Sequence, residues 1–326
     1  MRKIKSSWVE SLQKGERIED CFVVSQFNVA KKRSGENYLR FTIADKTGQL
    51  EARVWDEGLA SRMETQVSEG EIVQIKGVVA EYGGLQVHVE GFSIVKQDEI
   101  SHEDFRPFTT KNLEDMWKAM IGHMEIIKTP PLRTLLEKVF FENKEAVCLC
   151  VAGKKIHHSY GGGLLEHTLE VVDLCRTAFN HQPQKINQDI LVAGALLHDI
   201  GKIFEYDCSK ITYDMTEVAK MLGGHIVLGR DFIKSYYDAG FPQDLSIMLE
   251  HIILSHHGIR EWGAVEEPKT IEAITIHYAD LMSARINQAA LAVENTPTGK
   301  WTPYDKYLGT SLYYHGTEKD ENIERK

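Results

Sequence analysis

Tyr38-Leu-Arg-Phe-Thr-Ile-Ala-Asp-Lys-Thr-Gly-Gln-Leu-Glu-Ala-Arg-Val-Trp55 decides the first half of the chain. Leu39, Phe41 and Ile43 alternate with Tyr38, Arg40 and Thr42, and the alternation resumes over residues 50–55. A period of two puts one row of side chains in a core and the other row outside. Asp45-Lys-Thr-Gly48 between the two runs has turn residues, so the stretch predicts a hairpin.

The same pattern extends outward. Residues 21–29 are rich in Val and Phe, and 57–67 suit a short helix. Residues 71–81 and 85–95 flank Tyr82-Gly83-Gly84, a second hairpin. Strand, hairpin, helix, hairpin within about 85 residues is the order of a five-stranded OB barrel. Its outward row has a surface suited to single strands. Tyr38 and Trp55 offer faces on which bases stack, and Arg40 and Arg53 offer charge to phosphates. Lys31, Lys32 and Arg33, in the first loop, are candidates for holding backbone phosphate. The plainer alternative is an aromatic rim over the core and a solvated basic loop.

Residues 98–111 are polar and charged, contain a proline, and read as a linker between a domain over 1–97 and one over 112–315. Beyond the linker the period becomes helical. Residues 112–127, 132–142, 164–179, 186–197, 225–239, 243–256 and 270–293 carry apolar side chains three and four apart. The fold class expected is therefore multidomain: an all-β OB barrel followed by an all-α bundle. Residues 316–326 form a charged tail, expected to be disordered.

Composition sets bounds. The chain has 326 residues, enough for two or three domains, with 42% hydrophobic and 26% charged residues. No apolar run approaches the roughly 18 residues that span a bilayer, and the first residues lack the apolar segment of a signal peptide. Five scattered cysteines with no CxxC pair fit reduced thiols in a cytoplasm, not a disulfide framework. Net charge is −10, which counts against strong nonspecific binding to nucleic acid. The excess is uneven: residues 1–100 hold 14 Lys and Arg against 16 Asp and Glu, so the helical part carries most of it. Metal ions bound there would offset it locally.

The helical half places its histidines and aspartates at particular points. His167 follows Gly161-Gly-Gly-Leu-Leu-Glu, and His198-Asp199 ends an apolar helix ahead of Ile-Gly-Lys202. His225 follows Gly223-Gly224, His256-His257 closes another helix, and Asp280 lies in His277-Tyr-Ala-Asp280. One histidine on an apolar helix is ordinarily a core residue. The joint pattern, with each member beside a glycine turn or a helix end, points to a metal site. Neutral imidazole and carboxylate suit Mn, Fe, Co, Ni or Zn. Adjacent His198 and Asp199 point about 100° apart on a helix and can reach one cavity. A carboxylate bridges two ions and an imidazole does not, so Asp199 is the expected bridge. Two ions about 3.5–4 Å apart activate a water and stabilise the leaving oxygen of a phosphodiester. Lys202, three residues on, is expected to assist at the phosphate.

Residues 130–295 resemble the HD phosphohydrolase superfamily. The resemblance implies a first ion on His167, His198, Asp199 and Asp280, with His225 and His256 matching the further ligands of two-metal members and His257 a less certain ligand. The branch that cleaves cyclic dinucleotides has a Gly-Tyr-Pro element after the paired histidines, where this chain has Gly258-Ile-Arg-Glu-Trp. Its trinuclear members place a Glu four residues before the first histidine. Gly163 stands there, which favours two ions.

Both halves together resemble the YhaM-type 3′–5′ exoribonucleases of bacteria. Three stretches carry this: His157-His-Ser-Tyr-Gly-Gly-Gly-Leu-Leu-Glu-His167, Ala195-Leu-Leu-His-Asp-Ile-Gly-Lys202 and Leu254-Ser-His-His-Gly258. The resemblance implies Mn- or Co-favoured release of nucleoside 5′-monophosphates from the 3′ end of single-stranded RNA, and also of DNA. Asp199 and Lys202 are the expected catalytic residues, and His157 and His158 are candidates for contacting substrate. Partners are then single-stranded RNA or DNA and no membrane, with self-association left open. Two rivals stand beside it: an HD-type nucleotidase or cyclic-nucleotide phosphodiesterase, and a nucleic-acid-binding protein with a vestigial site.

Overall fold

The structure, a computed structural model, describes residues 5–32, 35–96, 99–106, 108–154, 157–208, 213–294 and 296–316. Arg33 and residues 317–326 of the tail lie outside the described residues. The chain divides into two compact units, Met1–Phe108 with Ser209–Tyr213 and Thr109–Cys208 with Asp214–Lys326.

The first unit is a closed barrel of β1 (Arg17–Lys31), β2 (Asn37–Asp45), β3 (Gly48–Val54), β4 (Ile72–Glu81) and β5 (Leu85–Ile94), ordered β1-β2-β3-β5-β4. The expected hairpin is present, with Asp45 opposite Gly48 and Leu39 opposite Val54. Leu39, Phe41 and Ile43 face inward and are essentially unexposed. Truncating Phe41 to Ala would cost about 3–5 kcal/mol. Helix α1 (Glu57–Gln66) starts where Asp56 accepts from the Leu59 amide, and packs Leu59, Ala60 and Met63 into the barrel core. At the β4–β5 bulge only glycine fits position 77, because a Cβ there would lie 2.4 Å from the His88 carbonyl oxygen. Strand β1 runs further than the sequence suggested, since backbone pairing with β2 continues to Lys31 past a bulge between Ser25 and Asn28.

The second unit is helical. It comprises α2 (Leu113–Glu125), α3 (Pro130–Glu142), α4 (Lys144–Leu149), α5 (Gly163–His181), α6 (Gln188–Leu197), α7 (Lys202–Glu205), α8 (Glu217–Leu222), α9 (His225–Ser235), α10 (Gln243–Ser255) and α11 (Ile271–Val293). Helix α6 is buried all round from Ile190 to Leu197, as expected of a helix that is apolar on every face. Asn187 fixes its start by accepting from the amides of Asp189 and Ile190. Gly194 lets α10 and α11 approach closely. A Cβ there would lie 2.6 Å from Ile252 Cδ1 and 3.0 Å from Ile276 Cδ1. This central helix delivers His198 and Asp199 at its C-terminal end, inside a ring formed by α5, α9, α10 and α11. Among the described residues no helix is long and apolar enough to cross a membrane.

Candidate functional site

Five helices bring their polar residues to Asp199. From α5, His167 Nε2 lies 3.5 Å from Asp199 Oδ2 and 3.1 Å from Asp280 Oδ1 on α11. His198 Nε2 lies 3.4 Å from Asp199 Oδ2 and 3.4 Å from His167 Nε2. On the other side, His225 Nε2 from α9 is 3.4 Å from Asp199 Oδ1 and His256 Nε2, after α10, is 3.5 Å from it. One oxygen of Asp199 thus faces His167 and His198, and the other faces His225 and His256. Two groups have ligand atoms mutually within 4.8 Å: His167, His198 and Asp199, and His225, His256 and His257.

The second nitrogen of each ring is already engaged. Nδ1 donates to the Ala195 carbonyl in His198 (2.7 Å), to the Ile253 carbonyl in His256 (2.7 Å) and to the Trp262 carbonyl in His257 (2.8 Å). His225 Nδ1 donates to Glu205 Oε2 at 3.0 Å. Ser283 Oγ donates to Glu170 Oε2 at 2.8 Å, so its lone pair accepts from His167 Nδ1 at 3.0 Å. With the proton held on Nδ1, each Nε2 is left as the potential donor to a metal, the usual outer support of ligating histidines.

The charge balance of the cluster fits a cation. Asp199 Oδ1, His225 Nε2 and His256 Nε2 are buried and make no hydrogen bond. Burial would lower the His167 pKa, but Asp199 and Asp280 outweigh it and push it up to about 9. Without a cation these carboxylates draw a proton onto Nε2, and a metal ion competes for that place. His257 is pushed down to about 3 by burial, His256 and His225, so it is neutral at pH 7. Burial works against ionisation of Asp199, but Lys202 and His198 hold its carboxyl well below the usual range.

Close backbone approaches make the convergence feasible. A Cβ on Gly201 would lie 2.0 Å from the His225 carbonyl oxygen and 2.5 Å from the Gly229 amide, so the Ile-Gly-Lys stretch lets α9 reach Asp199. Gly258, at φ +82°, leaves room for the His277 ring, whose Nδ1 donates to the His256 carbonyl at 2.8 Å.

Lys202 Nζ is buried and donates to Asp199 Oδ2 at 2.6 Å. His157 lines an open cavity together with Lys202, His257 and Asp280. Burial, then Lys202 and His167, lower its pKa to about 3. His158 is fully buried, with Nε2 3.2 Å from Glu170 Oε2, and does not line that cavity. His158, Glu166 and Glu170 form a third close group, but its carboxylates are already compensated. Lys111 Nζ lies 2.9 Å from Glu166 and 3.3 Å from Glu170, and Thr109 Oγ1 donates to Glu166 at 2.6 Å. We read this group as a brace on α5.

On the barrel, Tyr38 and Trp55 stack on each other at 4.6 Å, His88 meets Trp55 edge-on at 5.8 Å, and Arg53 lies 5.6 Å from the Trp55 ring. Arg53 is paired with Glu51 at 2.6 Å, and Arg40 lies 3.6 Å from the same carboxylate. Lys31 is exposed and Lys32 pairs with Glu36 at 3.0 Å.

Sequence reasoning missed Glu205, Ser283 and Glu170. Each stands three residues from a residue already singled out, at 202, 280 and 167, a spacing that places both on one helix face. It also missed the outer cavity wall, including Trp262, Arg285, Gln288 and Tyr307.

Two family models match the chain: one described as HD domain over residues 164–285, and one described as OB-fold nucleic acid binding domain over residues 23–95. This chain pairs an OB-fold domain with an HD domain. The HD match spans His167, His198-Asp199, His225, His256-His257 and Asp280. Along 302 residues the OB–HD chain is 26% identical to the 3′-5′ exoribonuclease YhaM of Geobacillus sp. (strain WCH70), covering 92% of each protein. The kinship expected from the three motif stretches is thus met by a relative of that name. Among solved structures, the mitochondrial single-stranded DNA binding protein Rim1 of S. cerevisiae is similar at 16% identity and a TM-score of 0.24, over 26% of this chain and 97% of that one. The second OB-fold domain of replication protein A from Methanococcus maripaludis is similar at 21% identity and a TM-score of 0.23, over 28% and 94%.

Proposed function

We propose that this OB–HD protein is a metal-dependent 3′–5′ exonuclease that hydrolyses single-stranded RNA, and DNA, to nucleoside 5′-monophosphates in the cytoplasm. The observation that carries this reading is the division of Asp199. Its two carboxylate oxygens face two separate sets of imidazoles, each with Nδ1 already bonded. His167, His198, Asp199 and Asp280 would hold one divalent ion, and His225, His256, His257 and Asp199 a second, with Mn first and Co, Fe, Ni or Zn as alternatives. When bound, such a pair lowers the pKa of a water and offsets charge on the phosphodiester.

The chain's own residues contribute the rest. Asp199 and Asp280 both stay ionised at physiological pH, because the cationic groups beside them outweigh burial. Lys202 Nζ and the neutral His157 ring border the cavity beside the cluster and can donate to phosphate oxygens. Burial of the imidazoles at 167, 198 and 256 excludes bulk water from the inner side. Resemblance over 92% of the chain to a named exoribonuclease supports 3′–5′ polarity and RNA as substrate. The barrel's match to a nucleic-acid-binding family supports a strand as ligand. Five scattered cysteines with no CxxC pair support a reducing compartment.

The test combines metal analysis of the purified protein with product identification from 3′- and 5′-labelled single strands. Stepwise release of 5′-monophosphates from the 3′ end is expected with Mn. Turnover of free or cyclic nucleotides alone would favour the nucleotidase reading.

A further inference from the structure

A cavity of about 300 Å³ opens beside the cluster. That is at the small end of ligand pockets, which run to about 1,000 Å³, so it suits one small ligand and not a length of strand. His157, Lys202 and Asp280 border its inner end. From there α11 forms one wall, through Leu281, Ala284 and Gln288. Asp280 to Gln288 is eight residues, a run of about 12 Å at 1.5 Å per residue.

Two aromatic residues, Trp262 and Tyr307, also line the cavity, and backbone hydrogen bonds hold each in place. Trp262 follows the paired histidines, and its carbonyl accepts from His257 Nδ1 at 2.8 Å. Its indole is half-exposed and lines the cavity. Tyr307 lines the cavity too. Its carbonyl accepts from Arg285 Nη1, and its amide donates to Asp305, which also accepts from Gln288 Nε2 at 3.0 Å. The indole tilts against the His277 ring at 6.3 Å and stays half in water on the cavity wall, so it can still offer a face to a stacked ring.

We propose that this cavity receives a single nucleoside, the 3′-terminal unit of the strand, with its base packed on Trp262 and its phosphate at the Asp280, His157 and Lys202 end. The proposal rests on the nuclease reading and deepens it, because a recess for one unit limits each hydrolytic event to the last nucleotide. The apolar wall and aromatic face recognise a base by its π surface, which tolerates any sequence. The ligand class is therefore a nucleoside 5′-phosphate unit without strong base preference.

The test uses the full chain loaded with Mn and two substitutions, W262A and W262F. W262A removes the indole while keeping the carbonyl that holds His257. Metal content is measured first and is expected to match wild type in both. By calorimetry, AMP is expected to bind wild type one to two orders of magnitude more tightly than W262A, with W262F close to wild type. Wild type should bind ribose 5-phosphate more weakly than AMP, and W262A should narrow that gap. In hydrolysis, the ratio of kcat/KM for a strand ending in adenosine to one ending in an abasic unit should exceed ten in wild type and fall toward one in W262A. AMP affinity and this ratio both unmoved by W262A, in a protein that does degrade strands, would overturn the cavity and leave the nuclease intact. AMP binding that depends on Trp262 in a protein that degrades no strand would overturn the nuclease and retain the cavity as a nucleotide site.

Discussion

Lys202 Nζ donates to Asp199 Oδ2 at 2.6 Å, while Oδ1 of that carboxylate makes no hydrogen bond. The ammonium occupies one side of the residue on which both histidine sets converge. Both partners are buried, so each charge depends on the other in the cation-free protein. Removing one partner of such a pair typically costs about 3–5 kcal/mol.

That pair separates two effects of K202A. The metal-free variant should melt well below wild type, because Asp199 is left buried with the His167 imidazolium, which it shares with Asp280, as its nearest offsetting charge. Mn should then raise Tm more in the variant than in wild type, since a cation replaces the lost charge and binding stabilises by mass action. Turnover should fall by about 10²–10³, the usual loss when one donor to a developing oxyanion is removed. Thermal melts with and without Mn, beside single-strand hydrolysis, check this. An Mn-induced gain smaller than that of wild type would show that Lys202 helps to bind the ions.

The two histidine groups predict an asymmetric response to substitution. D199A should lose both ions, because its oxygens face both sets. H257A should lose only the ion of the second group, leaving about one per chain by elemental analysis. Equal loss in H257A and D199A would make the centre a single cooperative site.

Ser283 and Glu170 touch the centre only through His167. S283A removes the acceptor that keeps the His167 proton on Nδ1. Outer partners of this kind typically change metal affinity about 10- to 100-fold. Calorimetric Mn titration should show that weakening in S283A and partial recovery in S283T. The metal-free Tm should fall too, since Ser283 makes two hydrogen bonds, one of them to a carboxylate, and each contributes about 1–3 kcal/mol.

Much of this architecture was legible in the sequence, and what was not has a physical cause. The barrel strands announced themselves through a period of two, α5, α10 and α11 through apolar residues three and four apart, and α6 through its apolar run Ile190–Leu197. Helices α4, α7 and α8 have six residues or fewer, too short for a period to register. His167, His198-Asp199 and Asp280 stood out because a polar or charged group on an apolar helix is costly to bury unless it binds or pairs with something. Ser283 and Glu170 did not, because Ser and Glu are ordinary on any amphipathic helix and acquire meaning only when α5 and α11 meet. Trp262 ends a single 3₁₀ turn, Arg260–Trp262, too short for a periodicity to give its side chain a direction.

The barrel leads to a prediction about salt. Tyr38, Trp55 and His88 form a continuous aromatic patch, but the arginines beside it are already paired with Glu51. Binding through this face should therefore be dominated by stacking. Log K against log salt for a short single strand should be shallow, about −0.7 per phosphate contacted. W55A should weaken binding by about 1–3 kcal/mol, the usual worth of one stacked base, with little change in slope. E51Q should act in the opposite sense. It keeps the side chain's shape, removes its charge, and releases Arg40 and Arg53 toward the strand. Affinity at low salt should rise and the slope should steepen by about 1.4, as expected for two added contacts. Fluorescence anisotropy at several salt concentrations measures both quantities. An unchanged slope in E51Q would mean that neither arginine faces the bound strand.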